Sequence, residues 1–521
     1  MEDIVIRGGM VADGTGSPAF RADVAVRDGK ITAIGSDLSG LQAERILDAE
    51  GCVVAPGFID AHAHSDTSFL LDSSSASKLY QGVTTEVCGQ CGGSPFPALE
   101  KYCRIDEREW VCSSFDEFVK RFESGGYSMA VNQAMLTGHG SLRAGVIGYA
   151  ARAVTRDEME TMKRLLRADL EAGTWGMSLG LEYAPGCFAD TDGLSELASV
   201  VKEYDGLVPC HMRSEGLHID EAIDELTEIG QRSDARVHIS HLKLDNYQVH
   251  GRAAHVWNRI EAARRSGVRI SADMYPYTAS CTTLTIRCPR WSQDGGDEAT
   301  AAALQGPRRK EIIEGIRTHY FNAERAETCL ICSDAGMWPE IVGKTLRCVA
   351  ESILHTEDYA EAAADVIVRT HGHAWCIFFV MSEEDMLYFL SQDTGIGSDG
   401  RAFSADPAKV PGSPHPRYYG TVPEFFRIAR ERKICSVEEA VRRVTSKAAD
   451  MIGLKDRGRL KEGMIADITV FDPLTIRPRA EYLNPVQLSE GVRHVIVNGG
   501  IALENGVQTD YRGGQFLRKR P

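Results

Sequence analysis

The chain has 521 residues, 43% of them hydrophobic and 25% charged, with no Pro/Ser/Gln-rich block, a composition that supports large folded cores and excludes a long disordered linker. Its 58 Lys and Arg against 74 Asp and Glu leave a net charge of −16, and the one basic cluster, Arg518-Lys519-Arg520, sits at the chain end, so nucleic acid is not an expected partner. The acidic start Met1-Glu2-Asp3 lacks the basic region of an export signal, the longest apolar run (375–381) is far below the ~18 residues of a membrane span, and the 14 cysteines are scattered, which together read as a soluble, cytoplasmic protein with reduced thiols.

Short strands open the chain at 4–7, 23–26, 30–35 and 45–48, punctuated by Gly8-Gly9, Asp28-Gly29 and Glu50-Gly51. Asp-Gly between alternating apolar runs signals a hairpin. From about Val53 to Leu454 the rhythm changes. Strands at 84–87, 129–137, 176–180, 207–211, 236–241 and 269–273 alternate with helices at 157–172, 194–204, 219–232 and 253–266. Alternation of this kind builds βα units with a parallel sheet, and seven or eight units fit before Gly397. The expected class is α/β: a (β/α)8 TIM-like barrel over 56–454, with an Arg/Glu-rich insertion at about 282–365 after a mid-barrel strand. Strands return at 466–471, 492–497 and 501–504, so segments 1–55 and 455–521 are expected to form a small β-sandwich from both chain ends.

The chemistry begins at His62 and His64. Two histidines at i and i+2 on a strand share a face, so at the end of a barrel strand both imidazoles converge on one ion. Within Pro56-Gly57-Phe58-Ile59-Asp60-Ala61-His62-Ala63-His64 the pair resembles the first barrel strand of the amidohydrolase superfamily. Further motifs sharpen the resemblance: Cys88-Gly89-Gln90-Cys91-Gly92-Gly93, Gly138-His139-Gly140, Gly180-Leu181-Glu182-Tyr183, His211-Met212-Arg213-Ser214-Glu215, Ile239-Ser240-His241-Leu242-Lys243, Asp273-Met274-Tyr275-Pro276-Tyr277, Gly397-Ser398-Asp399-Gly400 and His415-Pro416-Arg417. In this order, and on through His494 to Gly499, they resemble the D-aminoacylase, or N-acyl-D-amino-acid deacylase, family over nearly the whole chain.

That resemblance implies one tightly held zinc on Cys91, His211 and His241, and a weaker second divalent metal at His62, His64 and Asp399. Cys91 then stands where many amidohydrolases use a carbamylated lysine. A thiolate and two imidazoles suit zinc and leave a fourth position open for water or substrate. The resemblance further implies Asp399 as acid/base, Tyr183 as hydrogen-bond donor to the developing oxyanion, and Lys243, Tyr275, Ser280 and Arg417 as the grip on the substrate α-carboxylate. The implied reaction is zinc-dependent hydrolysis of an N-acyl-D-amino acid to a carboxylate and a free D-amino acid. The alternative is hydrolysis of D-residue-terminated dipeptides or of cyclic amides, as a dihydropyrimidinase does. Cys91 acting as a covalent nucleophile and a barrel without chemistry are the remaining rivals.

Other features are ambiguous. Arg287 and Arg290 follow the carboxylate motif and either pair with an acidic substrate side chain or are solvated surface groups. Loop 401–414 is longer than the family usually carries, leaving the lid and the side-chain preference open. Cys88/Cys91 and Cys329/Cys332 are Cys-x-x-Cys pairs without the four closed ligands of a structural zinc site. His371-Gly372-His373 is expected at the start of a barrel strand, on the face opposite the chemistry. Oligomeric state is not legible.

Overall fold

Glu2–Val11 is the strand around which the terminal region is organised. It pairs antiparallel with Phe20–Arg27 along its length, and in parallel with Ala43–Asp48 over its first part and Val53–Pro56 over its end. The path continues from Val53–Pro56 through Ile468–Phe471, Val492–Val497, Gly500–Glu504 and Val507–Gln508, so both chain ends enter one nine-stranded sheet. A bulge between Ile6 and Gly9 interrupts the long strand, and such bulges bend a strand and increase its twist. The sheet rolls until Lys30 bridges Ile465 and Gly29 meets Gly499, enclosing Ile4, Ile6, Val24, Val26, Val54, Ile468, Val470 and Ile496. The strands from both chain ends, expected as a small β-sandwich, are thus linked in one hydrogen-bonded path. The computed structural model describes residues 1–97, 110 and 112–520.

Between these ends the strands run parallel. Phe58–Asp60, Val83–Cys88 and Asn132–Met135 form one group; Thr137–Gly138, Met177–Gly180, Leu207–His211, Arg236–Ile239, Ile270–Met274 and Gly395–Ile396 form another. Only Leu136 separates the groups along the chain. Ile396 O accepts from Ala61 N–H at 3.2 Å and His62 O from Asp399 N–H at 2.8 Å, joining the last strand to the first. The strands read as nearly unbroken buried runs, as parallel strands covered on both faces do. Helices supply the outer cover. Arg156–Ala172 starts at a Thr155/Glu158 capping box, buries Met159, Met162, Leu166 and Leu170, and stops at Gly173 with φ 108°, a conformation glycine adopts without strain.

The inserted unit has its own sheet and core. Trp375–Phe378 lies between Ser280–Thr283 and Cys329–Ser333, antiparallel to both, over a cluster that includes Leu284, Ile312, Ile316, Ile331, Val366 and Phe378. This core reaches Phe378, beyond the expected limit near 365, because the apolar run at 375–381 supplies the central strand of the inserted sheet. His371 and His373 therefore do not precede a barrel strand; His371 is exposed and His373 lies 3.3 Å from Glu298. Cys329 and Cys332 face different clusters, Cys332 lying 3.7 Å from Cys281 (Sγ to Sγ). No helix among the described residues is long and apolar enough to cross a membrane.

Candidate metal centre and substrate pocket

Every site residue called from the sequence, apart from Ser280 and Arg417, lies at or just past the C-terminal end of a parallel strand. His62 and His64 follow Phe58–Asp60, Cys91 follows Val83–Cys88, Tyr183 follows Met177–Gly180, and His211 ends Leu207–His211. His241 and Lys243 follow Arg236–Ile239, Tyr275 follows Ile270–Met274, and Asp399 follows Gly395–Ile396. Parallel strands therefore deliver residues distant in sequence to one face. The local backbone is unusual: Cys91, His241 and Asp399 all have left-handed φ, at 53°, 39° and 49°. Such conformations cost about 1–3 kcal/mol each and persist only where surrounding packing imposes them. Packing does so at Cys91, whose carbonyl lies 2.0 Å from where a Cβ on Gly180 would stand, so only glycine fits there.

Two groups of donor atoms meet at Cys91. Cys91 Sγ lies 3.2 Å from His241 Nε2, which lies 3.0 Å from His211 Nδ1. Cys91 Sγ is also 3.4 Å from His62 Nε2, and Asp399 Oδ1 stands 3.0 Å from His64 Nε2 and 3.7 Å from His62 Nε2. Ligand atoms of Cys91, His211 and His241 lie within 4.8 Å of one another, and so do those of His62, His64, Cys91 and Asp399. A tetrahedral zinc with bonds of ~2.0–2.3 Å separates its ligands by roughly 3.3–3.7 Å, so the donor set and its spacing fit this ion. Burial and Lys243 push the His241 pKa down to about 3, which keeps the imidazole neutral as a metal ligand must be. Burial, reinforced by Asp399, pushes the Cys91 thiol well above its ordinary range, so metal uptake must displace its proton.

Beside these donor atoms is a buried cationic cluster. Arg417 opens the helix Arg417–Glu431 and is almost fully buried. Its Nη2 lies 3.0 Å from Asp399 Oδ2 and 3.4 Å from Cys281 O, whereas Nε and Nη1 are buried with no partner among the described residues. The Tyr275 hydroxyl is likewise buried and unpartnered, and its ring is 4.7 Å from the Arg417 guanidinium and 5.6 Å from Lys243 Nζ. Unsatisfied buried donors are expensive, and such groups call for an acceptor. Ser280 Oγ donates to Asp245 Oδ2 at 3.3 Å. Tyr183, its ring 4.6 Å from that of His211, accepts from Thr282 Oγ1 at 3.1 Å and so keeps its own proton free to donate. Burial, then Cys91 and Glu182, push that phenol well above its ordinary pKa.

The Amidohydrolase family model matches residues 45–287 and 399–502. The N-acyl-D-glutamate deacylase of Alcaligenes xylosoxydans xylosoxydans is 33% identical over 524 residues, covering 99% of this chain and 96% of that protein. The chain belongs to the amidohydrolase family. Among solved structures, the N-acyl-D-glutamate deacylase of Bordetella bronchiseptica, complexed with zinc and a phosphonate mimic of the reaction's tetrahedral intermediate, matches with a TM-score of 0.84 and 32% identity over 99% of both chains. A D-aminoacylase whose binuclear metal centre shows one-metal activation and second-metal attenuation matches equally, at 0.84 and 32% over the whole of both chains. The unmatched stretch 288–398 contains most of the inserted unit, which is therefore an elaboration on the amidohydrolase framework.

Two carboxylates of this amidohydrolase have no role legible in the sequence motifs that contain them: Glu182, 2.9 Å from His211 Nε2, and Glu215, 2.9 Å from His241 Nδ1. Glu215 stands four residues after His211, which is the one signal the sequence carried. Burial opposes its charge, yet Lys243, His211 and His241 hold it well below the usual carboxylate range. Lys78 was also overlooked. Its Nζ, fully buried, lies 2.8 Å from Asp60 Oδ2, 2.8 Å from Ser398 Oγ and 3.2 Å from Glu86 Oε1. Asp60 Oδ1 in turn accepts from the Ser398 and His62 backbone N–H groups at 2.8 and 3.2 Å, tying the His-x-His strand to the turn that carries Asp399. Lys78→Met strands two buried carboxylates and is expected to cost about 3–5 kcal/mol, read as a lower urea midpoint in tryptophan fluorescence. An unchanged midpoint would mean water already reaches this network.

Proposed function

We propose that this amidohydrolase hydrolyses the amide bond of N-acyl-D-amino acids and that its preferred substrates carry an acidic side chain. The parallel strands are read as a closed (β/α)8 barrel over 56–454, a reading supported by the backbone bonds between Ala61 and Ile396 and between His62 and Asp399. Segments 1–55 and 455–521 are read as a second domain. The observation that carries the functional reading is the two unpartnered donors of Arg417, Nε and Nη1, buried like the Tyr275 hydroxyl, on a residue whose Nη2 bonds Asp399 beside the Cys91 donor group. Free N–H donors on a buried guanidinium suit a carboxylate acceptor, and their nearness to the Cys91, His211 and His241 donors suits a substrate whose carboxylate lies close to the scissile amide.

Cys91, His211 and His241 would hold the zinc, which when bound supplies Lewis-acid polarisation of the amide carbonyl and favours deprotonation of water. His62, His64 and Asp399 would form the weaker second position. Asp399 accepts a proton from the attacking water and delivers it to the leaving nitrogen as the C–N bond breaks, giving a carboxylate and a free amine. Tyr183, held by Thr282, donates its hydroxyl proton to the carbonyl oxygen as negative charge develops there. Arg417, Tyr275 and Lys243 fix the α-carboxylate, with Ser280 at the edge of the pocket. Fixing both carboxylate and amide is what distinguishes D from L substrates.

The acidic preference rests on Arg287. Arg290 is exposed, whereas Arg287 is half-buried, stacked 4.4 Å over Phe378, and makes no hydrogen bond among the described residues. Asp245, the acceptor of the Ser280 hydroxyl, is within its electrostatic reach. Its free donors are suited to a second substrate carboxylate.

Amine release from N-acetyl derivatives of D-Glu, D-Asp and D-Leu, their L-enantiomers, D-terminal dipeptides and hydantoins tests the reading. Release confined to D-forms, highest for the acidic ones, is the expected result, and Arg287→Leu should lower kcat/KM for N-acetyl-D-Glu about 10- to 100-fold while sparing N-acetyl-D-Leu, as loss of one charge-assisted bond predicts. Activity confined to dipeptides or cyclic amides would overturn the substrate.

A further inference from the structure

The two metal-facing histidines are each backed by a carboxylate, but the two carboxylates are not equivalent. His211 turns Nδ1 toward His241 and Nε2 toward Glu182 Oε2, 2.9 Å away. His241 turns Nε2 toward Cys91 and His211, and Nδ1 toward Glu215 Oε1, 2.9 Å away. An imidazole that offers one nitrogen to a metal carries its proton on the other, and a carboxylate that accepts this proton sets the tautomer and the plane of the ring. Glu182 does this for one histidine and is half-buried. Glu215 is buried, and its second oxygen accepts from Lys243 Nζ at 2.5 Å. His241, Lys243 and Glu215 are all at most 4% exposed, Lys243 Nζ also lies 2.8 Å from His241 Nδ1, and among the described residues Glu215 is the carboxylate in hydrogen-bonding contact with the ammonium.

We propose that Glu215 is a positioning residue that couples the metal site to the substrate-carboxylate site: one carboxylate orients His241 for zinc and holds the Lys243 ammonium at the place of the α-carboxylate. Glu182 is its single-site counterpart, serving His211 alone. The Lys243 half of this inference rests on the substrate reading above; the His241 half does not. One buried group with two charge-assisted bonds moves both partners when it is altered, since neither has a solvent-exposed substitute.

The test compares Glu215→Gln with Glu182→Gln. Zinc affinity is measured by competition with a chromophoric chelator. KM is then measured with zinc in excess for an N-acetyl-D-amino acid and for the matching carboxamide, which lacks the α-carboxylate. Both variants should bind zinc about 10- to 100-fold more weakly, the usual cost of losing the partner of a metal-bound histidine. Only Glu215→Gln should also raise KM for the carboxylate substrate, by about tenfold relative to the carboxamide. Should Glu215→Gln fail to fold, Glu215→Asp, whose shorter side chain cannot span both partners, carries the same two readouts. Unchanged zinc affinity in the Glu215 variant overturns the proposal, as does an equal KM shift in the Glu182 variant, which would mark a general loosening of the site. If the wild type itself does not distinguish carboxylate from carboxamide, the substrate reading and the coupling both fall, and zinc affinity alone reports on the Glu215–His241 pair.

Discussion

Asp399→Asn protein is expected to bind zinc nearly as the wild type does and to turn over about 10²- to 10⁴-fold more slowly, the range supplied by a positioned acid/base. The carboxylate is set in a left-handed turn, with Oδ1 3.0 Å from His64 Nε2 and Oδ2 3.0 Å from Arg417. Asparagine keeps the shape and most of the hydrogen bonding but cannot take a proton from water at neutral pH. It also stands outside the Cys91, His211 and His241 group, which is why the zinc content, read by atomic absorption, should survive. Wild-type turnover would remove Asp399 from the chemistry. Loss of zinc with turnover would make it a ligand of the tighter site instead.

Arg417→Lys should lower kcat/KM about 10- to 100-fold for each charge-assisted bond lost, chiefly through KM, although net charge is unchanged. The reason is geometric. Arg417 already spends Nη2 on Asp399 and on Cys281 O, and only a planar guanidinium has Nε and Nη1 left to face a second anion. An ammonium at the same site satisfies one partner at the expense of the other. Steady-state kinetics with an N-acetyl-D-amino acid and its carboxamide checks this: the loss should be confined to the carboxylate substrate, and an equal loss on both would mean that Arg417 acts only through Asp399.

The residues proposed to hold metal could be picked out in the sequence because their chemistry is local. A His-x-His at a strand end, a cysteine after a Gly-rich turn and a histidine ending a strand each leave a mark in a few consecutive residues, and the order of the motifs carried the family resemblance. Glu182 and Glu215 were not legible as positioning groups, because a glutamate near a histidine in sequence acquires that role only when its oxygen meets the ring nitrogen turned away from the metal. Lys78 was less visible still. It sits in a four-residue helix between two strands, and its partners Asp60, Glu86 and Ser398 come from three separate segments.

Alternation of strand and helix, set by the spacing of apolar residues and by caps such as Thr155 and Gly173, was enough for the sequence alone to determine the parallel α/β middle of the chain and its β-rich ends. The tertiary structure decided the rest. It decided that the run at 375–381 is the centre of an inserted antiparallel sheet, because an apolar run of that length pairs with whichever strands the chain brings beside it. It also decided that Arg417 keeps two buried donors without a partner among the described residues, because burial and pairing depend on neighbours such as Cys281, more than a hundred residues away in sequence.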